Sequence, residues 1–273
     1  MNVETSSTER DIKVALISKL YEKGLLEDAA LINEMVVANW SRRADLAVAN
    51  GHLQAFEIKS DFDSLKRLDG QLSTYISRFE KVTVVCASRF TQEVLRRAHP
   101  RVEVLEVIES NEAISFRLVR RGKLHRLQDR QILLGFLLKT EIQNLLKQNS
   151  IGFELDCARH ILEDLATAIS PSKIRTFLLT ALKQRYSATS ADYLSRLRKN
   201  RKICANDLTR LRKKKQDRSI KNVEASLTSI EVGSSLNHWV NLDLDDLRDK
   251  YGNLPTGMPG SVLRRVRQNT AKS

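Results

Sequence analysis

A chain of 273 residues, 41% hydrophobic and 29% charged, is long enough for two domains and a sizeable core. It has no run of about 18 apolar residues that could span a membrane, and MNVETSSTERD lacks the basic and apolar regions of a signal peptide. Cys86, Cys157 and Cys204 are too scattered for a disulfide framework or a paired zinc spacing, so a reducing, cytoplasmic setting is expected.

The net charge of +13 is unevenly spread. Residues 1–120 hold 17 Lys and Arg against 18 Asp and Glu, whereas the remainder holds 29 against 15. A near-neutral first part followed by a strongly basic second part points to a polyanionic partner, most naturally nucleic acid.

In chain order, 6–26 reads as a helix capped by Ser7 or Thr8, with Glu9 and Asp11 at its positive end and Ile12, Leu16, Leu20 and Tyr21 along its apolar stripe. Strands are expected at 31–38, around Asp45 and around Glu57. A helix carrying Gln71 and Tyr75 follows, capped by Asp61 or Asp63, with Leu65, Leu68, Leu72, Ile76 and Phe79 on its core side. KVTVVCA at 81–87 reads as a strand buried on both faces. A short helix at 91–98 and strands at 102–108 and 114–119 complete the pattern. The expected class is α/β, a mixed sheet flanked by helices.

The stretch from Arg43 to Tyr75 carries the chemistry. Strand side chains alternate faces, so Glu57 and Lys59 share one face while Ile58 points the other way. For Asp45 to join them, the connection between the two strands must be irregular. A strict two-residue turn at Asn50-Gly51 would set Asp45 opposite Phe56. A three-residue loop with Gly51 left-handed, or a bulge near Asp45, brings both carboxylates to one face. Two carboxylates without a His or Cys cluster suit Mg²⁺ or Mn²⁺, with the Ile58 carbonyl and Glu34 as further oxygen ligands. Lys59 can orient or help deprotonate an attacking water and neutralise charge on a phosphate. Glu-x-Lys on a strand is ordinarily a solvated face, but here it is flanked by Phe56 and Ile58 and joined by Asp45 and the Gln-Tyr helix. The expected catalytic set is Asp45, Glu57, Lys59, Glu34, Gln71 and Tyr75, with Arg43, Arg67 and Arg78 as DNA contacts.

Asp45 followed by Glu57-Ile58-Lys59 resembles the D-x(n)-E-x-K signature of the PD-(D/E)XK nuclease superfamily, and Gln71 to Tyr75 resembles the Q-x-x-x-Y motif of its RecB-like branch. The wider string, from Glu34 through RADLAVA and FEIKSDFDSLKRL to FEKVTVV, is similar to the sce7726 family of that superfamily. The resemblance covers roughly residues 6 to 120, with Ala44 where the superfamily's Pro stands. It implies a restriction-endonuclease-like core and metal-dependent hydrolysis of DNA. Gln71 and Tyr75 would orient the metal-binding carboxylates and the scissile phosphate.

Beyond residue 120 the periodicity turns helical, at 128–148, 153–169, 171–186, 190–200 and 203–215, and a basic all-α domain is expected over 121–221. Between Arg196 and Lys221 there are 12 Lys or Arg and two acids, while Leu194, Leu197, Leu208 and Leu211 keep an apolar side. The expected DNA-binding residues are Arg196, Arg198, Lys199, Arg201, Lys202, Arg210, Arg212, Lys213, Lys214 and Lys215. They would fix phosphates rather than read bases. Residues 222–273 form an extension with an acidic patch, a Gly/Pro stretch and a basic end. The expected function is a Mg²⁺- or Mn²⁺-dependent deoxyribonuclease. The rival readings are a catalytically silent nucleic-acid-binding protein on the same fold and an RNA-directed nuclease. A protein or self-contact through the helical region is a further partner expectation.

Overall fold

Alternating apolar residues build a six-stranded sheet whose two faces are covered differently. The computed structural model describes residues 6–37, 42–110, 113–200 and 203–211, together with the backbone of 237–241 and 261–265. The elements run α1 (Glu9–Glu22), β1 (Ala30–Val37), β2 (Arg42–Ala49), β3 (Leu53–Lys59), α2 (Leu68–Arg78), β4 (Lys81–Ala87), α3 (Thr91–Arg97), β5 (Glu103–Glu109) and β6 (Ile114–Arg120). Helices α4 (Arg130–Gly135), α5 (Lys139–Gln148), α6 (Arg159–Ala166) and α7 (Pro171–Asn200) and a 3-10 helix at Ala205–Leu211 follow.

The strands lie in sequence order. β1, β2 and β3 are antiparallel neighbours, β3, β4 and β5 are parallel, and β6 returns antiparallel to β5. Each parallel step needs a crossover, which α2 and then α3 supply. β4 is buried on both faces, as its unbroken apolar run requires: Val82, Val84 and Cys86 meet the core under α2, and Val85 meets the core under α1.

Thr8 caps α1 as expected, with the Asp11 carboxylate returning a bond from the Thr8 backbone N–H at 3.0 Å. The expected Asp cap of α2 does not form. Its N-cap is Arg67, without a side-chain bond, because Asp63 is taken up by the Ser60 backbone N–H at 2.9 Å and hydroxyl at 2.6 Å.

The expected boundary at residue 120 does not separate two packed bodies. The chain divides into Met1–Lys214 and Lys215–Ser273. Leu133, Leu145, Leu162, Ile174, Leu178 and Leu182 share one core with Ala47, Ala55, Leu72, Tyr75 and Val84. The apolar stripes of α4–α7 pack on one another and, through α7, extend the core on the α2 side of the sheet. The single helix α7 spans 30 residues, about 45 Å, and replaces two expected shorter ones. The polar Ser187 and Thr189 do not break it, because their hydroxyls bond back to the Gln184 and Tyr186 carbonyls at 2.9 and 3.1 Å. Ser190 faces the edge strand instead, its hydroxyl accepting the Leu31 N–H at 3.0 Å. Further along α7, Tyr193 joins the core on the α1 side.

The expected long helix at 128–148 is broken between α4 and α5, and the described part of the helix expected at 203–215 is a 3-10 helix over Ala205–Leu211, with 212–215 outside the described residues. In Lys215–Ser273, β7 (Asn237–Asn241) and β8 (Ser261–Arg265) pair antiparallel. Among the described residues no helix is long and apolar enough to cross a membrane.

Candidate active site

The β2–β3 connection is the irregular one that the carboxylates require. Ala49 pairs with Leu53 across a three-residue loop in which Gly51 has φ +107, and Leu46 pairs with Phe56. One step further in this register sets Asp45 opposite Glu57. The strands have stopped exchanging ladder bonds there, and the Asp45 carboxylate takes the Ile58 N–H at 2.7 Å. Ile58 thus contributes its amide to the site.

Glu57 and Lys59 emerge at the carboxyl end of β3, where ligands commonly meet α/β sheets. Both are buried, at 1% and 5% exposure. The Lys59 ammonium donates to Glu57 Oε1 at 2.7 Å and to Gln71 Oε1 at 3.3 Å. The Gln71 amide donates to the same Glu57 oxygen at 2.5 Å. The Tyr75 hydroxyl lies 2.7 Å from the Arg43 carbonyl and 3.1 Å from Glu57 Oε2. One hydroxyl proton cannot serve both acceptors fully, so the Arg43 carbonyl and Glu57 Oε2 share it. The one-turn spacing of Gln71 and Tyr75 on α2 is what places both over one carboxylate.

The electrostatics are tense. Burial, then Glu57 and Glu9, push the Asp45 carboxyl up to about 8, against the Ile58 N–H and Lys13. Burial also raises Glu57, although Lys59, Tyr75 and Gln71 pull the other way. The Tyr75 phenol is pushed up by burial and by both carboxylates, so Asp45 and Glu57 act on one point.

Glu9 and Lys13 were not expected here. Lys13 is 2% exposed, lies 3.0 Å from Glu9 and donates to Asn33 Oδ1 at 3.2 Å. The sequence signal was a lysine one residue after Ile12 and three before Leu16, at the border of an apolar stripe. Glu34 falls opposite Asp45 in the β1–β2 register, between the Asn33–Leu46 and Met35–Ala44 pairs. Its backbone, at φ +55, interrupts the β1–β2 ladder between Asn33 and Met35, and its carboxylate is 3.3 Å from the Arg43 guanidinium. Among the described residues, no three His, Cys, Asp or Glu side chains converge to hold a metal ion.

Arg43 and Arg67 are exposed, and Arg78 is half-buried and bonds Ser77. Arg196, Arg198 and Lys199 lie on the last turns of α7, where Arg196 is 3.6 Å from Asp192. Arg210 pairs with Asp192 and Asp207 at 3.4 and 3.5 Å. Arg201, Lys202, Arg212, Lys213, Lys214 and Lys215 lie outside the described residues.

A six-stranded mixed sheet with acids, a lysine and an amide gathered at the end of β3 defines an α/β protein with a buried polar site. The model of the family described as bacteriophage P4 protein cII matches residues 2–212. Protein cII of Enterobacteria phage P4 is 50% identical over 259 residues, 94% of this chain and 97% of that protein. The chain belongs to the phage P4 cII family. A solved structure, the SPO1766 protein of unknown function from Silicibacter pomeroyi, aligns at 14% identity over 55% of this chain and 98% of its own, with a TM-score of 0.35.

Proposed function

We propose that the chain is a metal-dependent nuclease that hydrolyses DNA, with a PD-(D/E)XK core similar to that of the sce7726 family. The observation that carries this reading is the Asp45–Glu57–Lys59 cluster, in which a lysine ammonium sits 2.7 Å from one of two mutually repelling, desolvated carboxylates. Buried acids raised together in this way favour a functional reading, because a purely structural pair would be relieved by mutation at little cost.

Mg²⁺ or Mn²⁺ fits the donors by chemistry. Asp45, Glu57 and the Ile58 carbonyl are hard oxygen groups, and two carboxylates with the remaining positions left to water are a usual arrangement for Mg²⁺. A divalent ion bound there would acidify an attacking water and stabilise charge on the phosphate. Gln71 and Tyr75 hold the Glu57 carboxylate in orientation. Lys59 uses two of its three N–H donors on Glu57 and Gln71, which leaves one for the attacking water or a phosphate oxygen. The exposed Arg43 and Arg67, and the basic residues ending α7, would grip phosphates on either side.

The test is incubation of the full chain with circular and linear, single- and double-stranded DNA, with Mg²⁺, with Mn²⁺ and with chelator. Metal-dependent cutting is expected, and Asp45→Ala, Glu57→Ala and Lys59→Ala should each abolish it while leaving DNA binding nearly intact. Persistent cutting by all three variants rejects the assignment. The absence of a third converging metal-binding side chain among the described residues favours a second reading, a nucleic-acid-binding protein without turnover. Tight, salt-sensitive binding with no cleavage under either metal selects it.

A further inference from the structure

Three residues beyond Lys59, the chain makes a turn that holds an aromatic ring out into solvent. Phe62 is 71% exposed, the one exposed Phe, Tyr or Trp side chain among the described residues. An extended chain spans at most about 3.6 Å per residue, so the Phe62 Cα lies within about 11 Å of the Lys59 Cα.

The turn is fixed from several sides. The Asp63 N–H donates to the Ser60 carbonyl at 3.1 Å, and the Ser60 N–H and hydroxyl both donate to Asp63 Oδ2. Arg89, just after β4, donates to the carbonyls of Asp61 and Asp63 and stands 3.1 Å from the Asp61 carboxylate. Its own guanidinium lies over the Phe90 ring at 4.2 Å. A lone apolar side chain on a surface is ordinary. This one sits at the tip of a pinned turn beside buried acids, and ordering it costs little when something binds.

The local charge also suits a nucleic acid strand. The two acids flanking Phe62 are already engaged, Asp61 by Arg89 and Asp63 by Ser60. The next charged groups along the chain, Lys66 and Arg67, are exposed. An exposed ring followed by free cations is the combination that holds single strands, with the ring under a base and the cations on the backbone. A base inside a duplex is already stacked on its neighbours and offers no face to a ring.

We propose that Phe62 is a stacking platform for an unpaired base next to the cleavage site, so that the preferred substrate is DNA that is single-stranded where it is cut. This rests on the nuclease reading of the Asp45–Glu57–Lys59 cluster.

The test titrates the full chain, in chelator, with an oligothymidylate and with a blunt duplex of equal length, so that binding is measured without cutting. Phe62→Trp adds a fluorophore to Trp40 and Trp239, whose signal the unsubstituted chain supplies for subtraction. The added signal should be quenched by the single strand and not by the duplex. Phe62→Ala should weaken single-strand binding roughly 5- to 150-fold, with Phe62→Leu nearly as weak and duplex binding unchanged. No quenching at position 62, or equal single-strand affinity for Phe62→Ala and the unsubstituted chain, overturns the platform even if the chain cuts DNA. Quenching in a chain that cuts no DNA under Mg²⁺ or Mn²⁺ keeps the platform and removes the nuclease.

Discussion

Glu57 and Glu80 sit at opposite ends of the β3–β4 pair, are both 1% exposed although Glu57 lies deeper, and titrate in opposite directions. At the amino end, burial pushes Glu80 up, but Arg175 and the backbone N–H groups of Leu53 and Leu127 more than reverse it. Arg175 grips both Glu80 oxygens at 2.6 and 2.8 Å and also donates to the Gly51 carbonyl at 2.7 Å. At the carboxyl end, Glu57 has Lys59, Gln71 and Tyr75, yet burial still wins. Asp45 then adds a second charge that Glu57 repels. The difference is one of depth and of completion. The Glu80 end is closed and ties α7 to the β2–β3 loop, whereas the Glu57 end is left with charge to offer to something else.

Breaking the closed end should have the largest effect on stability. Arg175→Ala leaves Glu80 buried without its cation, which costs about 3–5 kcal/mol and should lower the melting temperature by roughly 6–20 °C in thermal unfolding.

At the open end the expected sign is reversed. The folded chain binds the Asp45 proton more tightly than an unfolded carboxyl would, since its value is about 8 against an ordinary 3.8. The cost is therefore absent at low pH, grows as pH rises from about 4 to about 8, and is complete above that. Asp45→Asn should consequently match the unsubstituted chain near pH 4 and exceed it by up to a few kcal/mol at pH 9, read by denaturant unfolding in chelator. Added Mg²⁺ should narrow that gap, and a gap that does not grow with pH would show that the carboxylate carries no such strain.

Smaller changes sharpen the contrast. Tyr75→Phe removes the bond to the Arg43 carbonyl and one donor from Glu57, an expected loss of about 1–2 kcal/mol. The Glu57 carboxyl should then titrate higher, which NMR of its side-chain carbon would follow. Gly51→Ala meets no neighbouring atom within 4 Å, but φ +107 strains any Cβ, so a cost of about 1 kcal/mol is expected from conformation alone.

What could be read in the sequence was local. The alternation around Glu57 and Lys59, the parity problem that demanded an odd β2–β3 loop, and the four-residue spacing of Gln71 and Tyr75 each involve residues close along the chain. What escaped was set by distant packing. Glu80 meets Arg175 across 95 positions, and no spacing rule connects them. Lys13 was concealed because a lysine beside an apolar stripe usually lifts its ammonium into water. The break expected near Ser187 failed because serine and threonine hydroxyls can bond within their own helix as well as end it. The boundary expected at 120 followed a change in charge, but charge describes the outer faces of α4–α7 and not the inner faces that join the sheet.

Asn33 holds Lys13 on one side and, through its amide nitrogen, the Leu208 carbonyl at 3.2 Å on the other. Removing the chain beyond Asn200 would delete that far anchor and let water reach an ammonium that now helps balance Asp45. The tail of this unit thus acts as a plug, and trimming it to obtain a minimal fragment would alter the very acid the fragment was meant to preserve.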